Sequence, residues 1–228
     1  PKYTSFWVDF TSPNDLGAPS YNSGAAGTVS CNNWIITVVD SGGDTGSIVS
    51  VADGAGGFLA ITTDDAENDG VALQGKVESF NITTSKEAFF ETRLQVNDAT
   101  QTDFLVGLAI TDATPFAGLT DSITFKCDDA STAIRLVSET NMSGSIVSAS
   151  VTAVASMTDD TFVKLGWHYD GDSKIKVFSD EVHVATLSVV SGTNLVTDEA
   201  MAPVVAVLTG EAAAQTITVD YLCAMQEK

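Results

Sequence analysis

Basic residues are scarce in this chain: 10 Lys and Arg stand against 30 Asp and Glu, a formal net charge of −20. A surface of that sign repels phosphate backbones and anionic headgroups, which argues against nucleic-acid partners and membrane attachment. Cysteine is scarce as well. Cys31, Cys127 and Cys223 are widely spaced and form no CxxC pair, so neither a disulfide framework nor a zinc site is expected. Cys127 and Cys223 read instead as small buried side chains in strands. Apolar runs are short, and the longest, Met201 to Leu208, holds Pro203 and falls far below the length of a bilayer span. The first ten residues contain no apolar leader, and Pro1 fits removal of an initiator Met, so synthesis in a cytoplasm without signal-peptide export is the expectation. Long amphipathic helical runs are missing too.

What the chain has in quantity is alternation. Val163, Leu165, Trp167 and Tyr169 interleave with Phe162, Lys164, Gly166 and His168, a period of two that buries one face of a strand. Asp170-Gly171-Asp172-Ser173 supplies the turn, Ile175 and Val177 resume the pattern, and Val182 and Val184 follow a second turn at Ser179-Asp180-Glu181. This predicts a three-stranded meander over Thr161 to Leu187. Further strands are expected at Phe6–Phe10, Trp34–Val39, Ile48–Val51, Phe58–Ile61, Phe89–Val96, Phe104–Thr111, Ile123–Cys127, Ala133–Val137, Ser145–Val151, Ala202–Leu208 and Thr216–Cys223. In the last of these Ile217, Val219, Tyr221 and Cys223 are expected to share a face. The predicted class is all-β: an antiparallel β-sandwich of about a dozen strands with few or no helices. Residues 1–21 read as an N-terminal arm or a first strand, broken by Ser12-Pro13-Asn14-Asp15 and Gly17-Ala18-Pro19, and residues 22–228 as one sandwich domain.

No catalytic constellation is legible. His168 and His183 both fall in the meander, with no nucleophile motif beside them. Asp65, Glu67, Asp69 and Gly70 imitate the start of a calcium loop, but Lys76 occupies the position that needs a bidentate Glu. That loop is therefore expected to be a hydrated, metal-free turn. Asn81-Ile82-Thr83 and Asn141-Met142-Ser143 are sequons without a secretory context. No cofactor, no metal and no catalytic residue are expected.

Three stretches carry a resemblance. Gly57 to Thr63 with Asn68-Asp69-Gly70, then Phe89-Phe90-Glu91-Thr92-Arg93 leading to Phe104 to Ala109, and Phe162 to Trp167 with Tyr169-Asp170-Gly171 are similar, in order and spacing, to virion structural proteins of tailed bacteriophages. Those proteins carry a concanavalin A- or laminin G-like jelly-roll sandwich. The resemblance implies a non-enzymatic capsid decoration or minor head protein in the virion, with the major capsid protein and neighbouring copies as partners. Phe6, Trp7 and Phe10 are the expected partner contacts, as aromatics on an N-terminal segment. Phe89 to Arg93 also resembles a strand of laminarinase-type glycoside hydrolases. Those enzymes hold their catalytic pair in an ExDxxE strand that this sequence lacks, which speaks against hydrolysis. The alternative function is a carbohydrate-binding, lectin-like module of the same fold, with Trp34 or Trp167 as the stacking platform.

Overall fold

Short alternating segments become strands through almost the whole chain. The structure, a computed structural model, describes residues 2–10, 20–22, 27–31, 33–39, 47–51, 57–117, 119–142 and 144–228. The chain breaks read at residues 12–15 and 17–19 and the end of the second sequon at Ser143 lie outside those residues, as does the side chain of Cys31. In chain order the strands are β1 (Tyr3–Val8), β2 (Ser20–Asn22), β3 (Gly27–Cys31), β4 (Trp34–Val39), β5 (Ser47–Val51), β6 (Phe58–Thr62), β7 (Gly70–Gly75), β8 (Ala88–Val96) and β9 (Thr102–Ala109). They continue with β10 (Ser122–Cys127), β11 (Ala133–Met142), β12 (Ser145–Ser156), β13 (Val163–Tyr169), β14 (Lys174–Ser179), β15 (Val182–Ser188), β16 (Ala202–Thr209) and β17 (Thr216–Glu227).

These strands form two antiparallel sheets, and no helix occurs among the described residues. The first sheet runs β15-β14-β13-β8-β17-β6-β5-β2, with β1 added on β17. The second runs β12-β11-β10-β9-β16-β7-β4-β3. The fold is an all-β, concanavalin A-like jelly-roll sandwich. Its core lies between the sheets, filled from one side by Phe90, Leu94, Leu165, Trp167, Val177, Ile217 and Leu222. From the other side come Trp34, Leu73, Phe104, Val106, Phe125, Leu136 and Val205. Side chains at every second position of each strand supply this layer, which is why the period-two pattern was readable.

β17 departs from that pattern at one point. Its register on β8 shifts between Val219 and Tyr221, an irregularity that inserts one residue and reverses the phase of everything after it. Ile217 and Val219 face the core, and so do Leu222 and Ala224, whereas Tyr221 and Cys223 do not. The single alternation expected over Thr216 to Cys223 is thereby corrected. Thr92, fully buried on the inner face of β8, donates its hydroxyl to the Tyr221 carbonyl at 2.8 Å and satisfies the acceptor at the bulge. Beyond the bulge β17 pairs with β1, from Val8 opposite Leu222 to Tyr3 opposite Glu227.

The outer face of the second sheet is covered over β7, β9 and β16. Phe116 and Leu119 lie on Ala72, Leu105, Ala109, Val204 and Ala206. The covering segment is fastened by Gln74, whose Nε2 donates to the Asp112 carbonyl at 2.7 Å while the Asp112 N–H donates to its Oε1 at 2.9 Å. Tight contact also occurs inside this sheet at Gly107, where an added Cβ would stand 2.3 Å from the Ile123 carbonyl oxygen and 2.8 Å from the Thr124 Cα. The acidic loop before β7 is exposed at Asp65, Glu67 and Asn68, as a hydrated turn is, but it is tied down at its end. Asp69 is buried, its Oδ2 accepts from the Ala66 N–H, and Thr209 accepts from the Asp69 N–H at 3.0 Å while donating to the Ala66 carbonyl at 2.6 Å.

Two expectations follow from this packing. Gly107→Ala pushes backbone against backbone with no side chain able to yield, and should cost several kcal/mol, about 3 or more, in a denaturant melt. Thr92→Val keeps the shape of the buried side chain but orphans the bulge carbonyl, and should cost about 1–3 kcal/mol in the same experiment. A Thr92→Val protein as stable as the parent would show that the bulge needs no internal donor.

Candidate functional site

The bulge sets up the outer face of the first sheet. Because β17 reverses phase, Tyr221, Cys223 and Met225 point away from the core, beside Phe89, Glu91 and Arg93 of β8. Lys164, Gly166 and His168 of β13 continue the face, and Phe178 of β14 stands opposite Gly166. Strand register puts Trp7, Cys223, Glu91, Gly166 and Phe178 in a single row across five strands.

At the centre of that row is a cavity of about 470 Å³, lined by Phe89, Glu91, Lys164, His168, Phe178 and Glu181 above a floor at Gly166 and Cys223. The volume falls in the range of small-molecule pockets. Gly166 makes the space: the nearest atom to an added Cβ is the Phe90 carbonyl oxygen at 3.3 Å, so any larger residue would occupy the cavity floor. One wall is aromatic. Phe89 and His168 lie parallel, with ring centroids 4.2 Å apart and planes within 3°. The His168 Nε2 is buried without a hydrogen bond and comes to 3.7 Å from the Glu87 carboxylate.

The opposite wall is polar. Lys164 Nζ stands 3.3 Å from Glu91 Oε1 and 3.2 Å from Glu181 Oε1, while Tyr221 Oη donates to Glu91 Oε1 at 2.8 Å. Burial works against the Lys164 charge, but the hydrogen bonds and negative charges of Glu181 and Glu91 outweigh it and hold the ammonium above its ordinary pKa. The Tyr221 phenol is pushed well above its usual value, first by burial and then by the Glu91 carboxylate it serves. Burial and the Glu91 charge likewise raise the Cys223 thiol, which stays protonated at neutral pH and is a poor nucleophile. One Lys164 proton and the second Glu91 oxygen are left to meet a ligand, beside an apolar wall.

Several residues singled out in the sequence lie elsewhere. Trp34 and Trp167, the expected platforms, are 2% and 1% exposed and belong to the core. His183 is exposed on β15 and bonds to Thr186. Of the three expected partner contacts, Phe10 is buried, Phe6 packs edge-on against Trp34 with centroids 5.7 Å apart, and only Trp7 is open, at 60% exposure. β1 is thus a strand of the first sheet. Among the described residues no group of three His, Cys, Asp or Glu side chains is arranged to hold a metal ion. Glu91, Lys164, Glu181 and Tyr221 escaped notice because three separate strands and a turn bring them together. Gly166, a glycine in the interior of the alternating strand β13, was the available signal.

A second cavity of about 290 Å³ lies on the outer face of the second sheet, between the covering segment and β10 and β11. Four of its charged groups pair internally, Lys126 with Glu139 at 3.0 Å and Arg135 with Asp128, while Asp103 accepts from the Asp129 N–H. The outward positions of β10 carry Ser122, Thr124 and Lys126, with no carboxylate pair.

No family model matches the chain, and no curated protein sequence does. Solved structures do. An endo-1,3-β-glucanase from Streptomyces sioyaensis aligns over 100% of this chain and 97% of its own, at 12% identity and a TM-score of 0.62. A glycoside hydrolase family 16 endo-glucanase from Bacteroides ovatus aligns over 96% and 99%, at 10% identity and a TM-score of 0.60. The carbohydrate recognition domain of Emp47p aligns over 85% and 88%, at 13% identity and a TM-score of 0.55. These matches correct the expectation of a non-enzymatic phage virion protein seated on a major capsid protein: the sandwich is shared with glucan-cleaving enzymes and carbohydrate recognition domains. At such low identity the likeness establishes the fold, and function has to be argued from the site.

Asp103, at the second cavity, yields a pH test. Burial, with the nearby Asp129 and Asp128 charges, raises its pKa from 3.8 to about 6, against the opposing hydrogen bond from the Asp129 N–H and the Arg135 charge. A carboxyl whose folded pKa is raised contributes stability at low pH that is lost as pH climbs through about 4 to 6. Asp103→Asn should therefore raise the melting temperature at about pH 8 and have a smaller effect at about pH 5. An equal shift at both would mean that ionisation of Asp103 carries no penalty.

Proposed function

We propose that the cavity on the first sheet binds a neutral glycan of the β-glucan type. One observation carries the reading: an aromatic wall, in which the Phe89 and His168 rings stack on each other, faces a hydrogen-bonding wall of Glu91, Lys164 and Glu181 across a cavity of about 470 Å³. A pyranose has the matching anatomy, with an apolar C–H face and a rim of hydroxyls that both donate and accept. The aromatic wall takes the C–H face. The second Glu91 oxygen accepts from one hydroxyl, and the spare Lys164 proton is donated to another. Fold relatives that act on or recognise carbohydrates support this choice of ligand.

A second reading, cleavage of the bound glycan, has one observation in its favour. Glu91 and Glu181 converge on one ammonium, so a single wall holds two carboxylates, the functional groups on which glycoside hydrolysis relies. Release of reducing ends by the parent protein, lost in Glu91→Gln, would decide for it.

Titration calorimetry against soluble β-1,3-glucan and mixed-linkage glucan fragments tests the binding reading. Phe89→Ala and Gly166→Val, the second of which fills the cavity floor, should each weaken binding by about tenfold or more, with melting temperatures close to the parent. A parent protein that binds no glycan, or a Gly166→Val protein that binds as well as the parent, removes this assignment.

A further inference from the structure

Trp7 is 60% exposed yet belongs to an ordered strand, opposite Cys223 of β17. It lies flat on Tyr221, with ring centroids 5.2 Å apart and planes 9° apart. Tyr221 covers one indole face, so the opposite face is the one that meets solvent. Large exposed aromatics on a rigid element mark contacts waiting for a partner. This one is joined to the cavity. Tyr221 donates to the same Glu91 oxygen that Lys164 approaches, so platform and polar wall share a carboxylate.

Register fixes the distance between them. Trp7, Cys223, Glu91 and Gly166 stand on four adjacent strands, three spacings or about 14 Å from end to end. A single sugar ring is too small to touch both the cavity floor and the indole. Between them the row itself holds Cys223 and Glu91, flanked on one side by Met225 and Phe89 and on the other by Tyr221 and Arg93, so a chain laid across the strands would run between these flanks.

We propose that Trp7, oriented by Tyr221, is an outlying subsite for a glycan chain that starts in the cavity and crosses β8 and β17 to β1. The site then takes an oligosaccharide or polymer in preference to a monosaccharide. The inference rests on the carbohydrate reading of the cavity and adds a length requirement to it.

The test is a ladder of β-1,3-glucan oligosaccharides, from the disaccharide to the hexasaccharide, titrated into the parent protein and Trp7→Ala. In the parent, affinity should step up by about tenfold at the length that first reaches the indole. In Trp7→Ala the ratio of hexasaccharide to disaccharide affinity should fall to near one. Fluorescence of the unmodified protein gives a check independent of any variant. Trp34 and Trp167 are buried, so emission from exposed indole reports Trp7 and should change with the hexasaccharide but not with the disaccharide. Affinity independent of length, or the same length profile in Trp7→Ala, overturns the subsite and leaves the cavity assignment standing. Absence of binding at every length overturns both.

Discussion

One hydrogen bond, from the Thr92 hydroxyl to the Tyr221 carbonyl, holds the irregularity on which the working face of the molecule depends. A strand that keeps strict alternation sends each side chain to the face its parity dictates. β17 breaks parity once, between Val219 and Tyr221. Before the break it buries Ile217 and Val219 and pairs with β6; after it, it buries Leu222 and Ala224 and pairs with β1. Without the shift, Tyr221 and Cys223 would enter the core, Leu222 would face outward, and neither the donor to Glu91 nor the partner ring for Trp7 would exist.

The cavity depends on that face in a second way. An outer sheet surface is ordinarily filled by side chains standing side by side, and a recess needs a missing one. Gly166 is the omission, between Glu91 on one neighbouring strand and Phe178 on the other. The surrounding charges do little for stability, since partly exposed ion pairs such as Lys164 with Glu181 contribute at most about 1 kcal/mol. Their value lies in geometry. Lys164 is held between two carboxylates and Glu91 between two donors, so the polar wall is ordered before any ligand arrives.

Alternation made the meander and the two faces of β8 legible, with Phe90, Thr92, Leu94 and Val96 inward and Phe89, Glu91, Arg93 and Gln95 outward. β7 was not predicted, and the reason is physical. Its six residues are all buried, with Val71 and Leu73 in the core and Ala72 under Phe116 and Leu119, so Gln74 is its single polar side chain and no alternation marks it as a strand. The bulge was hidden as well, because its donor is a Thr on an otherwise apolar face, a residue that β-propensity alone accounts for. Trp34 and Trp167 misled as platforms because ring size is visible in a sequence whereas burial depends on which sheet face the ring joins. The virion reading erred at another level. Its motifs were strand patterns of the sandwich itself, and such patterns report a fold that many unrelated functions share.

The site also has an uneven dependence on the chain ends. Its aromatic and polar walls come from β8, β13 and β14 in the middle of the sequence, whereas the floor at Cys223 and the platform at Trp7 come from the two terminal strands. Among the described residues β1 pairs with β17 alone, which gives it one ladder of hydrogen bonds and one edge without a described strand partner. Strands held on one side open locally at lower free energy than those held on both. The inward side of β1 resists this opening, because Phe6 packs on Trp34 and Val8 is buried. The proposed outlying platform would therefore be governed by two opposing properties of the same short strand: an edge without a described strand partner, and an inward face anchored in the core. The indole that reaches for solvent is positioned by its neighbour Phe6, which the alternation sends the other way.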